Sequence, residues 1–254
     1  MTHLRRLNGI LRPLLLAGVA ALALAACASN RGPMSASDHA ALPAAQADLG
    51  ALTARYRANP KDRGTVLHYS AALRAAGQPQ QAAAALEQAL AGSPGDAALS
   101  VEYARTLTAS GRFEQALAVL ENVIRPDAPD WNALLVLGAT LDQMGRNDQA
   151  RRIYNQAAVI APGEASVETN LGLSYAMTNE LPQAEKHLRR AVQMRGATSK
   201  TRQNLALVVG LQGRFAEARA LYGAELPPDQ VEANMAYVRA LLTQQNRWDL
   251  IEKS

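Results

Sequence analysis

Among the 254 residues there is one cysteine, Cys27, and its setting makes it the most chemically informative side chain in the chain. It follows Leu24-Ala25-Ala26, so its thiol comes directly after two small residues. A lone cysteine excludes an internal disulfide, a thiolate metal cluster and a cysteine redox pair. Beyond the first 26 residues the only histidines are His39, His68 and His187, which fall in three separate segments. The chain has no HExxH, no phosphate-binding GxxxxGK and no dinucleotide-binding GxGxxG. In Gly172-Leu173-Ser174-Tyr175-Ala176 a serine lies two residues after a glycine. A nucleophile elbow, however, needs a second glycine and a strand-to-helix turn, whereas the pattern here places Ser174 in the middle of a helix. The expectation is a protein that is not an enzyme and needs no cofactor or metal.

The elements around Cys27 explain its position. Arg5, Arg6 and Arg12 precede an apolar run from Leu14 to Ala26, the charged and hydrophobic regions of a secretory signal. The run is shorter than the about 20 residues that span a bilayer, and it turns polar at Ser29, Asn30 and Arg31. The sequence Leu24-Ala25-Ala26-Cys27 resembles the lipobox of bacterial lipoproteins. That resemblance implies removal of residues 1–26, lipidation of Cys27, and attachment to a membrane through acyl chains, which contribute about 0.8 kcal/mol per buried methylene. Ala28, where an aspartate would imply inner-membrane retention, implies the outer membrane, periplasmic face. Residues 28–44, rich in Ser, Ala and Pro and including Pro33 and Pro43, read as a tether, so 27–44 is a lipidated N-terminus and flexible linker.

The formal net charge of +4 belongs mostly to the signal. Without residues 1–26, 23 basic residues face 22 acidic ones, and no basic cluster interleaved with aromatics is present. Nucleic-acid binding is therefore not expected. The 48% hydrophobic content requires a folded chain, and the 4% aromatic content with abundant alanine favours closely packed helices over a sheet.

Three registers share a 34-residue period. Gly77, Gly111, Gly145 and Gly213 lie on one, with Asn179 in the remaining slot. Ala82, Ala116, Ala150, Ala184 and Ala218 occupy a second, and Pro60, Pro94 and Pro162 a third, with Ala128 and Gly196 filling in. The period and the run Trp131, Leu134, Leu137, Gly138, Leu141, Gly145, Ala150, Tyr154, Ala157, Pro162 resemble the tetratricopeptide repeat (TPR) family. The family implies an all-α TPR solenoid of about five helical hairpins. Small residues such as Gly138, Gly172 and Ala206 let paired helices touch, left-handed Gly or Asn residues end each first helix, and proline closes each unit. The fifth unit is the weakest, with Glu225 where alanine is usual. The array spans 63–232, preceded by a half-repeat helix within 45–62 and followed by a capping helix and tail at 229–254. Val231, Met235, Val238 and Leu242 lie on one side of the cap.

In the TPR family the first helices line a concave groove. The fifth positions here are Leu67, Val101, Leu135, Thr169 and Gln203, and the ninth are Ala71, Arg105, Ala139, Leu173 and Leu207. Arg74, Asp142, Asn170 and Asn204 add polar points. Lysine is missing from both sets, a departure from TPR proteins that clamp a peptide carboxylate with lysine and asparagine. A mostly apolar groove suits an amphipathic helix or extended apolar segment of a protein partner. Some of these apolar side chains are equally able to pack against the next repeat.

The closing segments Val231-Glu232-Ala233-Asn234-Met235-Ala236-Tyr237 and Gln244-Gln245-Asn246-Arg247-Trp248 resemble TadD-like TPR lipoproteins of the tight-adherence (Flp) pilus assembly system. This resemblance implies a pilotin-like role toward a secretin or another pilus-assembly component. The competing readings are an adaptor for a periplasmic protease or cell-wall enzyme, and an accessory subunit of an outer-membrane protein insertion machine.

Overall fold

The computed structural model describes residues 49–252, with side chains described to residue 244. Cys27, the signal, the tether and the start of the leading half-repeat lie outside the described residues. Those described form twelve helices and no strand. Residues 49–58 form α1. Three hairpins follow: α2 (Arg63–Ala75) with α3 (Pro79–Gly92), α4 (Ala97–Ala109) with α5 (Phe113–Val123), and α6 (Trp131–Gln143) with α7 (Asn147–Ile160). Two more are α8 (Ala165–Met177) with α9 (Leu181–Gln193) and α10 (Ser199–Leu211) with α11 (Phe215–Gly223). The last helix is α12 (Pro228–Glu252). The chain divides into two compact units, the first ending at Ile160 and the second beginning at Ala161.

The first helix of every hairpin is 13 residues long, and its two ends are set by local chemistry. At the N-termini Asp62, Asp96, Asp130 and Thr198 accept hydrogen bonds from backbone N–H groups one turn ahead, satisfying donors that the helix leaves unpaired. Glu164 holds the corresponding place before α8 and makes no such bond. At the C-termini Gly77, Gly111, Gly145 and Gly213 have φ of 72°, 76°, 74° and 80°, and Asn179 has 62°. The N–H that follows each of these residues bonds back to a carbonyl five residues earlier, as Gln78 does to Leu73 at 2.8 Å, which gives five Schellman motifs.

Hairpin interiors are closed by small residues. Ala82, Ala116, Ala150, Ala184 and Ala218 are all fully buried. A Cβ on Gly138 would lie 2.7 Å from Cδ1 of the Tyr154 ring, and one on Gly172 would lie 2.7 Å from Cγ of Leu188. The Tyr154 ring is held in place because its hydroxyl donates to Asp142 Oδ2 at 2.9 Å, while Asn147 Nδ2 donates to Asp142 Oδ1 at 2.8 Å. Burial, then the nearby Asp142 carboxylate, push the Tyr154 phenol well above its ordinary pKa, so it stays a donor.

In the first unit α4 packs between α2 and α6, burying Val101, Ala104 and Leu107 with Ala133 and Val136. α1 stacks Tyr56 on Tyr69 with ring centroids 4.6 Å apart. In the second unit α12 packs on α10 and α11 and buries Val231, Met235 and Val238 against Leu205, Val208, Val209 and Tyr222. Leu242 joins this cluster partly buried, so all four expected residues of the cap lie on its packed side. Gly210 is what admits the cap, since a Cβ there would meet Val238 Cγ1 at 2.9 Å. Glu225 lies beyond the end of α11 and bonds back to Arg202 on α10, which explains why the fifth unit lacks the usual alanine.

Candidate functional site

The candidate site is the face made by successive first helices, described separately in each unit. Adjacent first helices are tied together here by polar side chains. In the first unit Arg74, in the last turn of α2, reaches Glu102 on α4, with Nη2 at 3.0 Å and Nε at 3.3 Å from Oε1. Arg105, one turn along α4, approaches the other oxygen of Glu102 with Nε at 3.2 Å and donates from Nη2 to Asn132 of α6 at 2.7 Å. Thr108 and Thr140 share a hydrogen bond of 2.7 Å between α4 and α6. Three helices are thus joined through one carboxylate and its two guanidinium partners.

These groups are not sealed from water: the side chains of Arg74, Glu102 and Arg105 are 28%, 13% and 31% exposed. Burial lowers the Arg105 pKa, Glu102 offsets this, and the neighbouring Arg74 charge lowers it further. One carboxylate serves two cations, so the cluster carries a net positive charge. Leu67, Ala71 and Ala139 lie half-buried on the same helices.

In the second unit the face has no charged cluster between first helices, and Lys200 is exposed at the start of α10. Thr169 on α8 donates its hydroxyl hydrogen to the Ala165 carbonyl at 2.7 Å, and its oxygen lies 3.4 Å from the Thr201 hydroxyl on α10, a weak link. Asn170 and Gln203 turn back onto their own helices, to the Ser166 carbonyl and the Ser199 hydroxyl. Leu173 and Leu207 are half-buried, and Leu207 packs against the cluster closed by α12. The charges of this unit sit elsewhere. Glu168, only 6% exposed, is held by His187 at 2.8 Å and Arg190 at 3.1 Å, and Tyr175 stacks on the His187 ring.

Several residues expected on an open groove are interior. Val101 and Leu135 are 3% and 7% exposed and Thr169 is 9%, because first helices of neighbouring hairpins pack together along their fifth positions. Asn204 is buried at 6%. Asp142 is no surface point at 3% exposure, since its carboxylate is the acceptor for Tyr154 and Asn147. The face that solvent reaches therefore runs through Leu67, Ala71, Arg74, Arg105 and Ala139 in the first unit and Asn170, Leu173, Gln203 and Leu207 in the second. Glu102 and Asn132 were not expected. Glu102 is the sixth residue of its helix and Asn132 the second of its own, and each is reached by an arginine of the preceding first helix.

Among the described residues no cluster of three or more His, Cys, Asp or Glu side chains could hold a metal ion, and no helix is long and apolar enough to cross a membrane.

Known proteins resemble the chain through the same hairpins. Three family models, each described as Tetratricopeptide repeat, match residues 73–137 and 108–171, residues 169–200, and residues 202–224. Of solved structures, a thermophilic TPR protein from Thermus thermophilus aligns at 24% identity with a TM-score of 0.62, covering 70% of this chain and 98% of that one. A tetratricopeptide repeat protein from Parabacteroides merdae aligns at 16% identity and TM-score 0.54, covering 83% of each. Pseudomonas aeruginosa pilF aligns at 15% identity and TM-score 0.52, covering 72% and 91%. No curated protein matches the sequence. With repeat models covering more than half of its length and every hairpin built on the repeat's small-residue and left-handed positions, the chain belongs to the tetratricopeptide repeat family.

Proposed function

We propose that this chain is a lipid-anchored scaffold on the periplasmic face of the outer membrane, where it helps assemble a tight-adherence (Flp) pilus as a pilotin-like partner of the secretin. Tetratricopeptide repeats make a protein-interaction scaffold, and the observation that carries the reading is the solvent-accessible first-helix face. Half-buried Leu67, Ala71 and Ala139 lie on the same helices as a charged cluster, an arrangement suited to a partner segment with both apolar and polar side chains. The lipobox-like Leu24-Ala25-Ala26-Cys27 supports membrane attachment. The resemblance of Val231–Tyr237 and Gln244–Trp248 to TadD-like lipoproteins supports the pilus system. Tethering by acyl chains would raise the effective concentration of the face for a partner arriving at the same membrane, so a modest intrinsic affinity suffices.

The reading is tested by fractionating envelopes of cells lacking this chain and of cells carrying Cys27→Ser. Secretin multimers should leave the outer-membrane fraction in both. Normal secretin multimers in the outer membrane without the chain would sink the pilotin role. Copurification of a protease or cell-wall hydrolase instead would favour the adaptor role.

A further inference from the structure

We infer that Arg74, Glu102 and Arg105 form a subsite that selects an acidic side chain on the protein segment bound to the first unit. The inference rests on the reading that first-helix faces bind protein, and it adds which chemistry that face prefers.

Two guanidinium groups converge on one carboxylate from opposite sides, Arg74 on Oε1 and Arg105 on Oε2. The pairing leaves one positive charge in excess. It also leaves donors unused, because Nη1 of neither arginine has a hydrogen-bond partner among the described residues. Guanidinium donors in a fixed fork are suited to a second carboxylate, and charge-assisted bonds of this kind are about twice as strong as neutral ones. The arginines remain about a third exposed at most, so a ligand atom can reach them. Arg105 in particular is held with less counter-charge than its burial calls for, since Arg74 opposes what Glu102 supplies. An incoming carboxylate completes the balance at two cations to two anions.

The comparison inside the molecule supports selection rather than bracing alone. Thr108 with Thr140 already joins α4 to α6 without charge, and Thr169 with Thr201 joins α8 to α10 in the same way. The link between α4 and α6 therefore does not depend on the Arg105–Asn132 bond alone. In the second unit the ninth and twelfth positions of the repeat are Leu173, Ala176, Leu207 and Gly210, none of them cationic. The second unit has Lys200 at the start of α10 but no pair of guanidinium groups converging on one carboxylate between first helices.

The test uses the full chain and two fluorescein-labelled amphipathic peptides of identical sequence except that two Glu residues in one are Gln in the other, with fluorescence anisotropy as readout. The Glu peptide should bind about tenfold more tightly, a difference of about 1.4 kcal/mol. The preference should vanish in Arg74→Gln and Arg105→Gln and widen in Glu102→Gln, which removes the competing internal carboxylate. A mere brace predicts the reverse for Glu102→Gln, namely weaker binding of both peptides. Circular-dichroism melts of each variant show whether the helices persist. Equal binding of the two peptides by the native chain, or a Glu preference that survives both arginine variants, overturns the subsite and leaves the protein-binding face standing. Binding of neither peptide removes both.

Discussion

The two units use the same hairpin for different ends. In the first, charge is placed between first helices, where Arg74, Glu102 and Arg105 stay in reach of solvent. In the second, charge is placed within and behind the hairpins. Glu168 is clasped by His187 and Arg190, Glu185 by Arg189 and Arg214, and Arg202 by Glu225, leaving a first-helix face of Asn170, Leu173, Lys200, Gln203 and Leu207. The second unit also ends under α12, which covers Gly210 and completes its core. An identical backbone repeat thus leaves one unit with a charged cluster between its first helices and the other without one and with a closed end. The lesson is that function in a repeat fold is written in the positions the repeat does not fix.

The largest expected effect tests the closed end. Met235 is fully buried between α12 and the last hairpin, and Met235→Ala should cost about 2–5 kcal/mol through lost contacts and an unfilled cavity. Hydrogen exchange should accelerate across α10, α11 and α12. Unchanged protection there would mean that α12 is not what closes this unit.

Next comes the hairpin interior of the first unit. Gly138→Ala drives a methyl into a Tyr154 ring that is pinned by Asp142, so about 1–3 kcal/mol should be lost in thermal or urea unfolding. Gly172→Ala meets Leu188 Cγ at 2.7 Å and the Ala184 carbonyl at 3.0 Å, with no pinned ring in the way, and should cost less. An equal loss at the two sites would show that the pinned ring is not the obstacle.

A smaller effect should distinguish the units by pH. Burial acts to raise the Glu185 pKa, but hydrogen bonds from Arg214, Gln212 and Arg189 outweigh it and bring it from 4.5 down to about 2. A depressed folded-state pKa gives stability that is present above pH 4.5 and lost as pH falls toward 2. The unfolding midpoint of native chain should therefore fall faster over that window than that of Glu185→Gln. Parallel curves would rule out this contribution.

The smallest change is a gain. Glu164 occupies the N-cap slot of α8 without bonding to the helix, and the shorter Asp, which caps at Asp62, Asp96 and Asp130, should stabilise by about 0.5–1 kcal/mol. A lower melting temperature for Glu164→Asp would contradict this.

Much of the fold was legible because the repeat constrains backbone geometry directly. Left-handed turns demand Gly or Asn, touching helices demand Gly138 or Gly172, and a closing helix must present Val231, Met235 and Val238 together. A further register of N-caps, Asp62, Asp96, Asp130, Glu164 and Thr198, was equally periodic and was missed. The candidate site was legible only in outline. Whether a fifth-position side chain such as Val101 faces solvent depends on how closely neighbouring first helices approach, which no spacing within one repeat reveals. The partnership of Arg74 with Glu102 spans 28 residues and is set by side-chain reach across two helices. Asp142 looked like a surface point because its partner Tyr154 lies on the facing helix, beyond the pattern of α6 alone.

The central claim is that first-helix faces, not second-helix surfaces, contact protein. Site-specific photocrosslinking in intact cell envelopes tests it most directly, with the probe placed in turn at Leu67, Ala139 and Leu207 on first helices and at exposed Glu121 and Arg152 on second helices. Discrete crosslinks to a protein partner are expected from the first three positions and none from the last two. Crosslinks arising mainly from Glu121 and Arg152, with Leu67, Ala139 and Leu207 silent, would contradict it.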